Sequence, residues 1–160
     1  MNVLGIDIGG SGVKGAIVDI ESGKLLSEKI RFPTPNKPTP KKIFDGIKIN
    51  ILDELKWDGN VGCGFPGVVK KNKIYSAANI EKKWIGLNLK KKFHKKFNLR
   101  CKAINDADAA GLSEIALNPD VVKRGTVLVI TVGTGLGTSM FTDGKLIPNF
   151  ELGHLKMYGD

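Results

Sequence analysis

Apolar positions recur along this chain with two periods, and the periods take turns. Residues 3–8 form a short apolar run ending in Asp7-Ile8-Gly9-Gly10, the pattern of a buried strand entering a turn. Residues 13–20 are again strand-like, and Glu21-Ser22-Gly23-Lys24 makes a tight turn into a third strand over 25–32. Pro33, Pro35, Pro38 and Pro40 follow as a stiff connector that excludes helix. Over 41–55, Ile43, Phe44, Ile47, Ile51, Leu52 and Leu55 keep helical spacing. A strand at 61–65 closes on Pro66-Gly67, and 68–75 reads as a short hairpin. Leu89, Phe93 and Phe97 stripe a helix at 87–97 that is otherwise basic, with His94 facing water. A strand at 100–104 and an alanine-rich helix at 106–117, ended by Asn118-Pro119, come next. Strands at 126–132, up to Phe141 and near Leu146 complete the chain, with Gly133-Thr134-Gly135-Leu136-Gly137 and Asp143-Gly144 as turns.

One order appears twice: strand, glycine-rich turn, strand, tight turn, strand, first from Val3 to Phe32 and again from Thr126 to Ile147. Two copies of one unit separated by helices predict an α/β protein with internally duplicated strand-hairpin-strand units. The expected division is an N-terminal α/β lobe at 1–105 and the beginning of a second at 106–160, truncated soon after its third strand.

Composition adds limits. At 160 residues, 41% hydrophobic and 26% charged, the chain has the make-up of a soluble globular protein. No apolar run approaches the roughly 20 residues of a membrane span. The start MNVLGIDIGG lacks the regions of a signal peptide, which predicts a cytoplasmic protein. Cys63 and Cys101 lack C-x-x-C spacing and are expected to be buried free thiols. The net charge of +9 fits either a polyanion-binding surface or a lysine-rich compositional bias. It restricts the partner without naming one.

Gly9-Gly10-Ser11-Gly12 and Gly133-Thr134-Gly135-Leu136-Gly137 can each offer backbone N–H groups to an anion. Neither precedes a helix, which excludes a Walker loop and argues against a dinucleotide fingerprint. One such turn alone reads as a plain hairpin; two at matching places favour a phosphate chain held between them, with Ser11, Thr134 and Lys14 adding contacts. Asp7 is either a turn-capping residue or a carboxylate for Mg²⁺ or its water shell. Asp106 is either the N-cap of its helix or a general base for an attacking hydroxyl, with Asp108 pointing elsewhere. Gly111 predicts a backbone packed close to that helix. Glu151 and His154 suit polyol hydrogen bonds or metal ligation, or are surface residues, and Asn79 lies in a loop suited to a sugar contact.

Asp7-Ile8-Gly9-Gly10-Ser11-Gly12-Val13-Lys14-Gly15, Asn105-Asp106-Ala107-Asp108-Ala109-Ala110-Gly111, Thr131-Val132-Gly133-Thr134-Gly135-Leu136-Gly137 and Glu151-Leu152-Gly153-His154 together resemble the ROK sugar kinases. Ala77-Ala78-Asn79-Ile80-Glu81-Lys82-Lys83-Trp84-Ile85-Gly86 and Leu146-Ile147-Pro148-Asn149 are similar to the polyphosphate glucokinase branch. The resemblance implies an actin-like ATPase (ribonuclease H-like) fold and phosphoryl transfer from polyphosphate or ATP to the 6-hydroxyl of glucose. Asp106 would be the base, and Asn79, Asn105, Glu151 and His154 would hold the sugar. Gly9, Gly10, Ser11, Gly12, Lys14, Gly133, Thr134 and Gly135 would cradle donor phosphates, and Asp7 would assist Mg²⁺. No zinc is expected, nor a nucleic-acid or membrane partner. Homodimer contacts would lie in the C-terminal part of the family's length, which this chain does not contain. Activity of these 160 residues alone stays open. The rival readings are an ATP-dependent ROK hexokinase for another sugar and a non-catalytic sugar-binding fragment. A ROK repressor is disfavoured because the first strand begins at Val3, with no helix-turn-helix before it.

Overall fold

A computed structural model describes residues 1–78, 80–118, 120, 124–132 and 135–154, with His154 by its backbone alone. The first apolar run becomes β1 (Asn2–Ile8), whose Leu4, Ile6 and Ile8 are buried on alternate positions. It pairs antiparallel with β2 (Gly12–Asp19), from Asn2 opposite Asp19 to Ile8 opposite Val13. The third strand is shorter than its apolar pattern suggests. β3 (Ile30–Pro33) alone forms a strand on the ladder, with Leu25 adding an isolated bridge to Val18, because between them Ile17 donates its N–H to Ser27 Oγ at 2.9 Å while its carbonyl accepts from Leu26 N–H at 2.8 Å. A side chain there replaces a backbone partner and interrupts the pairing.

The proline connector runs straight into α1 (Pro40–Ile47), a correction to its reading as helix-free up to Pro40. Thr39 is the N-cap, accepting from Lys42 N–H at 3.4 Å, and Pro40 occupies the first helical position, where its missing N–H costs nothing. The helical pattern of 41–55 also divides. Lys48–Leu52 winds as a π-turn, with Asp53 N–H bonded to Lys48 C=O at 3.0 Å, which keeps Ile51 and Leu52 buried. Gly15 admits Ile51, since a Cβ there would lie 2.7 Å from Ile51 Cγ2.

β4 (Val61–Phe65) pairs parallel to β1, from Leu4 opposite Val61 to Asp7 opposite Gly64. The hairpin of β5 (Val69–Lys70) and β6 (Lys73–Ile74) turns on Lys71 and Asn72 at φ 50° and 64°, the two left-handed residues of a type I′ turn. α2 (Leu89–Phe97) starts at the N-cap Asn88 and ends at left-handed Asn98. β7 (Cys101–Asn105) completes a five-stranded sheet ordered β3-β2-β1-β4-β7. Leu89 and Phe93 of α2 are buried, and Phe93 meets Phe44 of α1 edge-on at 5.0 Å. Trp84 is fully buried and donates Nε1–H to Pro38 C=O at 2.7 Å. Cys63 and Cys101 are buried free thiols as expected. Burial pushes the Cys101 thiol up to about 12 and the Cys63 thiol well above its usual range, so neither is a nucleophile at neutral pH.

The chain divides into two compact units, Met1–Ile104 and Asn105–Asp160. In the second, α3 (Asp106–Leu117) packs on a three-stranded antiparallel sheet ordered β10-β9-β8. Its strands are β8 (Thr126–Val132), β9 (Leu136–Thr142) and β10 (Lys145–Ile147), a meander like that of β1-β2-β3. Gly111 is a contact point, but with side chains and not with a backbone as its pattern suggested. A Cβ there would lie 1.9 Å from Ser139 Oγ and 3.0 Å from Phe141 Cε2. No helix among the described residues is long and apolar enough to cross a membrane.

Candidate active site

The first unit brings together the Gly9–Gly12 turn, Asp7 and Lys14. Asp7 and Lys14 stand opposite each other in the β1–β2 register, and Lys14 Nζ donates to Asp7 Oδ2 at 3.3 Å. Both side chains are about half exposed. This pair was legible in principle, because closing a hairpin with Ile8 opposite Val13 puts position 7 across from position 14. Within the turn, Gly9 N–H is bonded to Gly12 C=O at 3.0 Å, and Thr34 Oγ1 donates to Gly9 C=O at 2.6 Å. Gly12 is buried, while Gly10 and Ser11 form the exposed tip. The part of the turn that can meet an anion is therefore narrower than the whole motif.

The second unit holds the acid–amide cluster. Asn105, and not Asp106, is the N-cap of α3: its Oδ1 accepts from Asp108 N–H at 2.9 Å. Its Nδ2 donates to Glu151 Oε1 at 2.7 Å, so one carboxamide ends the strand, starts the helix and holds an acid 46 positions away. Asp106 is the first helical residue, partly buried, with Oδ1 accepting from Ala107 N–H at 2.8 Å.

Glu151 is delivered to Asn105 by a segment pinned twice. Asp108 Oδ2 accepts from Asn149 N–H at 2.8 Å, and Thr138 Oγ1 donates to Phe150 C=O at 2.6 Å while accepting from Leu152 N–H at 2.8 Å. Gly153 continues it so close to Leu136 that a Cβ would fall 2.2 Å from the Leu136 carbonyl oxygen. Asp108 is turned to the Asn149 N–H, and this anchoring contact was invisible in the sequence, because nothing local shows that an acid will be buried. Of the other expected site residues, Asn79, Gly133 and Thr134 lie outside the described residues, as does the side chain of His154. Gly135 is exposed beside the β8–β9 turn, with nothing within 4 Å of an added Cβ.

Asp108 is only 1% exposed and its Oδ1 has no hydrogen-bond partner among the described residues. Burial raises its carboxyl above the usual range, the Asn149 N–H works against that, and Glu151 adds to it. A carboxyl raised on folding binds its proton more tightly in the native state, so its contribution to stability falls as pH climbs from 3.8 through the raised value. Asp108→Asn, which keeps an acceptor for Asn149 N–H, should therefore gain in Tm relative to the natural protein as pH rises from 4 to 7. Thermal unfolding across that range measures it; a Tm difference independent of pH would remove the buried charge as its cause.

Among the described residues no group of three or more His, Cys, Asp and Glu side chains gathers to hold a metal. Mg²⁺ does not need one, because it keeps several waters and binds through one or two carboxylates together with substrate phosphates. Asp7, half exposed beside the turn tip, fits that outer role.

Residues 3–158 match the ROK family. A polyphosphate glucokinase of Mycobacterium tuberculosis is 39% identical over 157 residues, 98% of this chain and 59% of that protein. The crystal structure of an inorganic polyphosphate/ATP-glucomannokinase from Arthrobacter sp. strain KM superposes with a TM-score of 0.90 at 42% identity, covering 99% of this chain and 65% of that one. A ROK family glucokinase from Streptomyces griseus, crystallised with glucose and AMPPNP, gives a TM-score of 0.83 at 31% identity over 98% and 51% of the two chains. The α/β architecture is that of the actin-like ATPase fold, and the chain spans between about half and two-thirds of the length of these relatives.

Proposed function

Because the chain belongs to the ROK family, we propose that it supplies the sugar-holding and base-bearing part of a kinase acting from inorganic polyphosphate or ATP on the 6-hydroxyl of glucose. The observation that carries this reading is the 2.7 Å hydrogen bond from Asn105 to Glu151 beside Asp106. A carboxylate and a carboxamide locked together can accept from and donate to neighbouring hydroxyls of one sugar. Asp106 is the next residue along, at a helix N-terminus that favours a negative side chain. The names of the relatives, polyphosphate glucokinase and polyphosphate/ATP-glucomannokinase, point to the same donors and acceptor class.

In this reading Asp106 Oδ takes the proton of the attacking hydroxyl as its oxygen bonds to the terminal phosphorus. The bond from that phosphorus to the bridging oxygen breaks, and the electron pair leaves with the shortened polyphosphate or ADP. The exposed Gly10–Ser11 tip and Lys14 steady the donor phosphates, with Gly9 and Gly12 shaping the turn, and Gly133, Thr134 and Gly135 are the second unit's own candidates for phosphate contacts. Mg²⁺ held to those phosphates, with Asp7 behind its water shell, would neutralise charge developing on the oxygens. Asn79 and His154 add to the sugar contacts made by Asn105 and Glu151.

Glucose titrated into the purified chain in a calorimeter tests the sugar site without requiring turnover. Glu151→Gln should weaken binding about tenfold to a hundredfold, the usual loss when a charged hydrogen-bond partner is removed. Unchanged affinity would take the Asn105–Glu151 pair out of the sugar site. Mannose and N-acetylmannosamine belong in the same titration, since they separate the glucose reading from that of another hexose.

A further inference from the structure

The chain's charge is distributed unevenly. Of the 25 lysines and arginines, 21 lie in Met1–Ile104, against nine of the 16 acids, which gives that unit +12 and the remainder −3. Between Glu81 and Asp106 there are nine lysines and arginines and no acid.

Part of this charge borders a groove of about 760 Å³ between the π-turn Lys48–Leu52 with the residues after it and the C-terminal half of α2. Lys48, Lys56, Trp57, His94, Lys95 and Lys96 line it. Lys48 is paired with Asp53 and Lys96 with Asp45, while Lys56 and Lys95 have no carboxylate partner among the described residues. Cations in the last turn of α2 also suit its C-terminal dipole, which accounts for Lys95 but not for Lys56 across the groove. Lys56 sits at φ 48°, where glycine is the residue of least strain.

The groove and the glycine turn occupy opposite ends of one sheet. Asn60 C=O accepts from Leu4 N–H, and Val61 N–H donates to Arg100 C=O, so the groove adjoins the starts of β4 and β7. Gly9–Gly12 follows the end of β1, which runs parallel to β4. Seven residues of β1 put roughly 20 Å between the two places.

We propose that this groove is a remote anchor for the polyphosphate donor: one end of the polyanion reaches the Gly10–Ser11 tip while phosphates further along lie on Lys56 and Lys95. The inference rests on the kinase reading above and adds a second contact region to it. Each neutralised phosphate releases counterions, and two linked contacts raise the effective concentration of the donor end at the reacting site. ATP and short phosphate chains cannot span the distance. A single-stranded nucleic acid suits the groove less well, because such ligands need open aromatic platforms. Trp57 packs on the core with Nε1–H bonded to Asn60 C=O at 3.2 Å, and Phe97 packs against Phe93 and Phe44.

The test uses the purified chain, long-chain polyphosphate, tripolyphosphate and a single-stranded RNA homopolymer, titrated over a range of salt. The double variant Lys56→Gly, Lys95→Ala should bind long-chain polyphosphate at least about tenfold more weakly, and the slope of log K against log salt should become shallower by roughly 1.5. Tripolyphosphate and glucose affinities should stay as they were. Glycine relieves the positive φ at position 56, so the variant should keep its Tm, which a melting curve verifies. An unchanged affinity and slope for long-chain polyphosphate would overturn the anchor, as would an equal loss for tripolyphosphate. RNA bound more tightly than polyphosphate, and lost in the same variant, would make the groove a nucleic-acid surface instead. Because binding is read without turnover, failure of both donors to yield hexose 6-phosphate would count against the kinase reading and not against the groove.

Discussion

Asp106→Asn is expected to leave glucose affinity intact and to lower the turnover of hexose phosphorylation by about 10²–10⁴, the contribution typical of a positioned general base. The substitution is close to isosteric, and its remaining carbonyl oxygen can still accept from Ala107 N–H, now at 2.8 Å from Asp106 Oδ1. The start of α3 should not suffer either, since Asn105 is its N-cap and Asp106 the residue after it. What the variant loses is the ability to take a proton from the hydroxyl at neutral pH. Hexose 6-phosphate formation with each donor, set beside glucose affinity by calorimetry, separates the two effects. Near-normal turnover would end the assignment of Asp106 as base; lost glucose binding would recast it as a sugar contact.

The largest loss of stability is expected at Trp84. Its ring is fully buried, with Phe65 at 5.1 Å and Phe44 at 6.1 Å between ring centroids. Truncation to alanine leaves a cavity in the middle of the first unit's core, and buried aromatic deletions of this kind cost about 3–5 kcal/mol. It also removes the donor for Pro38 C=O. Against a total stability of about 5–15 kcal/mol, such a loss leaves much of the chain unfolded on mild heating. Trp84→Phe keeps most of the packing and removes the hydrogen bond, so its smaller loss isolates the tie to the proline connector. Urea unfolding of the three proteins measures both; a Trp84→Ala midpoint equal to the natural one would contradict the burial.

How far the fold could be read from the chain depended on whether a residue's partner was near in sequence. α3 and β8 match the ranges expected for them, because Asn118 caps the end of one and a run of β-branched and aliphatic residues defines the other. The segment 25–32 pairs at Leu25 and again from Ile30, since the interruption comes from Ser27 reaching Ile17, ten positions back. Residues 41–55 keep an apolar stripe that an α-helix and a helix with a π-turn satisfy equally well, so the change at Lys48 left no mark. In the site, the Asp7–Lys14 pair follows from hairpin register alone. Asn105 and Glu151 are 46 positions apart, and only the family resemblance named both for one site. Asp108 looks like any first-turn acid until Asn149 is seen to lie over it.

The lopsided charge has a practical side. Toward a heparin or phosphocellulose column the chain offers a strongly cationic unit of 104 residues and a faintly anionic one of 56. At ionic strengths where the Debye length reaches about 30 Å, near 0.01 M, capture by almost any acidic matrix or contaminating polymer follows from this alone. Elution strength therefore measures the summed charge of the first unit, and selective recognition begins to show only where screening has shortened that reach to about 8 Å, near 0.15 M.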